Sequence, residues 1–185
     1  MVYHALVHYP EIKTEKIEVF RKKYDPTFEL IRAHLTILFP IPQKISKQTL
    51  SEHIHEVLTN WKPFEIEIEG FTKSWDHWLF LILKKGCEKI IKLHDDLYIG
   101  ILAPFLRSDI EFIPHIGLGQ FIKESEVYSL KSPTNVALDE KKYDSALKEA
   151  KNLNLSYKSK ADKLVLVEIN DKFTLTKNIK EFDLG

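Results

Sequence analysis

A chain of 185 residues, 44% apolar and 29% charged, has the length and composition of one ordinary globular domain, with a core that needs no disulfide or metal staple. Its 27 basic and 27 acidic residues cancel, which excludes the broad positive field of a duplex-binding protein and leaves a small anion, held by a few local donors, as the charged ligand to expect. The single cysteine, Cys87, excludes an internal disulfide and any zinc site built on two thiolates, and no stretch approaches 18 uninterrupted apolar residues. The expectation is a cytoplasmic monomer with no membrane partner.

Tyr3 to Tyr9 reads as a strand, punctuated by Pro10, before a helix on which Ile17, Phe20 and Tyr24 recur at helical spacing. Ile31 to Phe39 is an almost continuous apolar run closed by Pro40 and Pro42, the pattern of a buried strand with a sharp exit, and it contains His34. Ser46 is placed to cap a helix whose Leu50, Ile54, Val57, Leu58 and Trp61 share a face, and Pro63 stops it. From Phe64 to Phe71 apolar residues alternate with Glu65, Glu67 and Glu69, predicting a strand with one wet face. His77 to Leu83 predicts a more central strand that ends at the Lys84 to Gly86 turn.

Ile90, His94, Leu97 and Ile101 mark a third helix, and Phe112 to Phe121 reads as a strand carrying His115. From Ile122 to Leu138 the chain is rich in Ser, Pro, Thr and Asn, a loop long enough to serve as a cover or binding element. Asp139 is placed to cap a last helix with Tyr143, Ala146, Leu147, Ala150 and Leu153 on its apolar stripe. Lys163 to Ile169 and Phe173 to Ile179 then predict a hairpin turning at Asn170 and Asp171. Strands and helices mix without strict alternation, which predicts an α+β fold with antiparallel sheets.

Residues two apart on a strand share a face, so His34 looks the same way as Thr36, and His115 the same way as Gly117. Each segment has the form histidine, aliphatic, small, aliphatic: His34-Leu35-Thr36-Ile37 and, 81 positions later, His115-Ile116-Gly117-Leu118. With their flanks, Ala33 to Pro40 and Pro114 to Gly119, these segments resemble the two motifs of the two-histidine phosphoesterase superfamily, in its bacterial RNA 2′,5′-ligase-like and cyclic phosphodiesterase branch. The likeness extends to the order of elements along nearly the whole chain, including the closing Glu181-Phe182-Asp183-Leu184.

That resemblance implies one two-lobed domain over residues 1–185, a pseudo-twofold pair of antiparallel sheets with outer helices and a central cleft to which each lobe gives one motif. It implies His34 and His115 as acid and base on a nucleotide or RNA end bearing a 2′,3′-cyclic phosphate, with 2′,5′ ligation as the formal reverse. Imidazole suits this work, since a group that titrates near pH 6.5 can accept a proton from water or give one to a departing ribose oxygen. Hydroxyls two residues on would donate to the non-bridging oxygens. Thr36 fills that place in the first motif. Gly117 stands where the family's second motif carries Ser or Thr, which leaves only its backbone as a donor. A lost hydrogen bond to a charged group costs about 1.5–3 kcal/mol. The alternative is therefore a binding protein for nucleotides or RNA ends in which catalysis is weakened or lost.

Arg32, two residues before His34, is a further candidate phosphate ligand. Tyr24, Phe121 and Tyr128 are candidates for stacking a base, although aromatics at such positions more often belong to the core. His53 and His55, two apart on a helix, face different directions; His94 falls on an apolar face; His4, His8 and His77 have no second ligand at recognisable spacing. No metal and no cofactor are expected. The three glutamates at 65, 67 and 69 read as a solvated face. Gly117 and Gly119 lack the Lys and following helix of a nucleotide phosphate loop.

Overall fold

A computed structural model describes residues 2–123 and 137–185. Tyr128 and all but the ends of the expected cover loop lie outside the described residues.

Two four-stranded antiparallel sheets are built from strands β1 (Tyr3–His8), β2 (Leu35–Pro42), β3 (Phe64–Lys73), β4 (Trp78–Lys85), β5 (His115–Gln120), β6 (Ser156–Ala161), β7 (Lys163–Ile169) and β8 (Thr176–Asp183). The first sheet runs β2-β1-β7-β8 and the second β5-β4-β3-β6. The strand that follows His34 and the strand that begins at His115 are thus matching edges of the two sheets, and these edges approach one another. The expected bilobal α+β architecture is what forms. The lobes are interleaved, because β6 belongs to the second sheet while β7 and β8 return to the first.

The helices are α1 (Glu15–Tyr24), α2 (Lys47–Leu58), α3 (Cys87–Leu97) and α4 (Glu140–Asn152), with a short 3-10 helix at Gly100–Phe105 that takes Ile101 out of α3. Ser46 and Asp139 cap α2 and α4 as expected, each side chain accepting a backbone N–H. Helix α1, from the first half of the chain, packs on β5, and α3 packs on β2, so each lies against the opposite sheet's motif strand. One apolar cluster runs through both halves, from Leu6, Ile17 and Phe20 to Leu81, Leu93 and Leu118. A smaller one, Ala5, Val7, Val165 and Val167, lies on the other face of β1 and β7.

Three local departures from the sequence pattern have physical causes. Strand β6, Ser-Tyr-Lys-Ser-Lys-Ala, carries a polar, lysine-rich pattern because, among the described residues, it is the outer edge of its sheet and pairs with β3 alone. The second arm of the last hairpin starts at Thr176 because the Asn170 side chain accepts the N–H groups of Thr174 and Leu175 and prolongs the turn. Ile31 to His34 precede β2 rather than forming its start. Their backbone is claimed by α1: Arg21 donates to the Ile31 carbonyl and Glu18 accepts the Ala33 N–H.

Candidate active site

Where β2 and β5 meet, the two histidines are held by one device used twice. His34 Nδ1 lies 2.8 Å from the carbonyl oxygen of Arg32, and His115 Nδ1 lies 2.5 Å from that of Ile113, in both cases two residues back along the chain. A carbonyl can only accept, so Nδ1 carries the hydrogen in each ring and Nε2 is left as the basic nitrogen available to a ligand. Both rings are half-buried. Burial pushes each imidazole down to about 4, partly offset by the bond to the carbonyl. Charge on His34 further opposes protonation of His115.

The surroundings of the two rings differ. Beside His34 the exposed Arg32 guanidinium lies over the Tyr9 ring at 4.0 Å, and Tyr9 meets the His34 ring edge-on at 6.2 Å. Arg32 is therefore placed at the first histidine. Thr36 is half-buried and pairs with Val7, which puts it on the same face of the sheet as the Ala5, Val7 and Val165 cluster. Tyr9 carried no sequence signal beyond its place at the end of a strand.

The surroundings of His115 are aromatic. Its ring lies flat on Phe80, with centroids 3.4 Å apart and planes within 16°. Phe80 is opposite Gly117 on β4, and a register shift between Leu79 and Phe80 marks a bulge at this point. A Cβ placed on Gly117 would meet the six-membered ring of Trp78 at 3.4 Å. The space that a serine or threonine side chain would enter is thus bounded by indole. Neither Trp78 nor Phe80 stood out in the sequence, where both read as ordinary apolar positions of a central strand; alternation puts the two on one face of β4, and only the pairing with β5 brings that face to Gly117.

Other candidates fall elsewhere. Phe121 is fully buried against Tyr24 and Tyr143, and Tyr24 donates its hydroxyl to Glu149, so both belong to the core rather than to a stacking platform. His53 bonds the Leu97 carbonyl. His94, buried, bonds the Ile37 carbonyl of β2 and lies flat on Phe112 at 3.7 Å, joining the two motif segments from α3. Among the described residues no group of three or more His, Cys, Asp or Glu is placed to hold a metal ion, and no helix is long and apolar enough to cross a membrane. Two surface depressions of about 370 and 380 Å³, one beside Pro63 and Lys89 and one beside Lys47, His55 and Lys180, touch neither His34 nor His115.

Residues 9–172 match the family model of the 2′-5′ RNA ligase superfamily. A Bacillus licheniformis protein described as "Putative phosphoesterase" is 27% identical over 128 residues, covering 66% of this chain and 73% of its own. A Geobacillus kaustophilus protein with the same description is 24% identical, over 76% of this chain and 83% of its own. Among solved structures, the protein TT0787 of Thermus thermophilus superposes with a TM-score of 0.58 at 15% identity, covering 99% of this chain and 97% of that one. LigT of E. coli in its apo form gives 0.56 at 18%, covering 99% and 96%. Structures of LigT with phosphate and with 3′-AMP give 0.52 and 0.53, both at 16% identity and the same coverage of each chain. At these identities the structural matches speak for the fold.

Proposed function

This chain belongs to the 2′-5′ RNA ligase superfamily, and we propose that it opens a 2′,3′-cyclic phosphodiester on a nucleotide or RNA end, with His34 and His115 as the acid-base pair. The observation that carries the reading is the shared anchoring of the two rings, each with Nδ1 bonded to the carbonyl two residues back and Nε2 left for a ligand. Acid-base catalysis at phosphorus needs two such nitrogens in fixed tautomers.

In the proposed reaction water attacks phosphorus and loses its proton to one Nε2. The bond from phosphorus to the 2′ or 3′ oxygen breaks, and that oxygen takes a proton from the other Nε2. The product is a ribose phosphomonoester, and the two imidazoles exchange their proton with water before the next turnover. The Thr36 hydroxyl and the Arg32 guanidinium would hold the non-bridging oxygens, where the negative charge resides. The 3′-AMP in a LigT structure is a phosphomonoester of the kind this reaction yields. Imidazole chemistry at this site requires no metal, so turnover of 2′,3′-cyclic AMP in EDTA, lost separately in His34→Ala and His115→Ala, is the expected result. An unchanged rate in either variant would end the proposal.

The second reading, a protein that binds nucleotide phosphates without useful turnover, draws on Trp78, whose ring borders the place of a second hydroxyl donor at Gly117. Calorimetric binding of 3′-AMP with no hydrolysis of the cyclic substrate would favour it.

A further inference from the structure

Arg21 is the largest fully buried side chain among the described residues, and an arginine so placed is costly unless every donor is matched. Here each nitrogen is used. Nε donates to Asp25 Oδ2 at 2.7 Å, Nη1 to Glu18 Oε2 at 2.9 Å and Nη2 to the Ile31 carbonyl at 2.7 Å. The second Asp25 oxygen accepts the N–H and hydroxyl of Thr27, and the second Glu18 oxygen accepts the Ala33 N–H at 2.7 Å.

A network with one purpose, to neutralise a buried cation, would need only the two carboxylates. This one also reaches the backbone at Ile31 and at Ala33, on the two sides of Arg32. The Arg32 carbonyl between these tethers is the one that receives His34 Nδ1–H. The same stretch is missing from β2, so no sheet ladder fixes it.

We infer that Glu18 and Arg21 are positioning residues for His34: by clamping the chain on both sides of Arg32 they set the carbonyl that orients the imidazole. The inference rests on the proposed function for its kinetic consequence and on geometry alone for its structural one. Among the described residues no side-chain charge ties the segment before His115, whose Pro114 carbonyl accepts the Leu83 N–H at 3.4 Å, and His115 serves as the internal control.

Glu18→Ala removes one tether and is tolerable to the fold, because the Glu18 side chain is 25% exposed. Ring proton titrations of His34 and His115 by NMR should show His34 moving up toward its ordinary value as the freed ring meets water, with His115 unmoved. On 2′,3′-cyclic AMP, kcat should fall about tenfold or more while KM changes by less than about threefold, the signature of a misplaced catalytic group. Glu18→Gln, whose amide oxygen can still accept the Ala33 N–H although its NH2 then faces Arg21 Nη1, should restore part of both readouts. Arg21→Lys, which keeps a charge for Asp25 but cannot span Glu18 and Ile31 together, should repeat the His34-specific shift. Unchanged His34 titration in Glu18→Ala, equal movement of both histidines, or no rescue by Gln would overturn the assignment. A wild-type protein without turnover would refute the proposed function and leave the titration to decide the inference.

Discussion

The acidity of the two imidazoles makes the pH dependence of the proposed reaction unusual. Acid-base catalysis by a histidine pair needs one proton shared between two rings, and both rings are pushed by burial to about 4. In the free protein at pH 7, three units above that value, roughly one molecule in a thousand carries the required proton on a given ring. Charge on His34 adds to the burial that opposes protonation of His115, and the singly protonated, competent form is most abundant near pH 4. A cyclic phosphodiester stays a monoanion throughout the accessible range. Since kcat/KM follows the free protein, it should fall about tenfold per pH unit above its maximum, or about a hundredfold from pH 5.5 to pH 7.5. Initial rates on 2′,3′-cyclic AMP at constant ionic strength measure this directly. A plateau reaching pH 6.5, as two ordinary histidines would give, would refute the account of burial at the site.

Gly117→Thr alone should gain no activity, because the indole of Trp78 borders the new side chain, whereas Gly117→Thr with Trp78→Ala should recover about tenfold or more in kcat/KM relative to Trp78→Ala; equal rates in those two proteins would show that no phosphate oxygen lies there. Arg32→Ala should raise KM for the cyclic nucleotide roughly tenfold with a smaller change in kcat, since a guanidinium at the edge of the site binds ground and transition states alike; a loss confined to kcat would contradict this. Burial lowers His4, His8, His34, His94 and His115, so below pH 6.5 the unfolded chain takes up protons that the folded one refuses, and stability that is full above 6.5 is lost as the pH falls toward 4. Calorimetry from pH 7.5 to 4.5 should show a falling Tm across that window, and a flat Tm would speak against neutral buried histidines. Phe80→Leu should uncover one face of His115 and raise its titration while leaving His34 in place, a selectivity that NMR can check.

What could be read from the sequence follows how local each feature is. His34, Thr36, His115 and Gly117 were visible because strand alternation and a repeated tetrapeptide are local, and the caps Ser46 and Asp139 were visible for the same reason. Residues whose role depends on a partner far along the chain were not. Trp78 borders Gly117 only because β4 pairs with β5 across a bulge, and Tyr9 meets His34 only because β1 pairs with β2. Strand β6 was lost to its own edge position, where exposed lysines mask the alternation. The start of β2 was misplaced because apolar Ile31 packs in the smaller cluster while its carbonyl answers to Arg21, a contact 10 residues distant that no periodicity records.

The two halves reach the same ring geometry from unlike materials, and that difference bears on how the site tolerates change. The carbonyl that holds His34 sits between tethers made by the buried Arg21 and the partly exposed Glu18, and truncating the buried Asp25 would strand the guanidinium in a low-dielectric interior. The segment that holds His115 is steadied by flat aromatic contacts, Phe112 on His94 and Phe80 on the imidazole itself, which a similar apolar group can partly replace. Conservative substitution should therefore be far less damaging around the second histidine than around the first. The proposed phosphate ligands, Thr36 and Arg32, also lie on the first side, whereas the second carries Gly117 bordered by the Trp78 indole. A phosphodiester bound between the histidines would be gripped from the β2 side, and its flat or apolar portion would face Trp78 and Phe80.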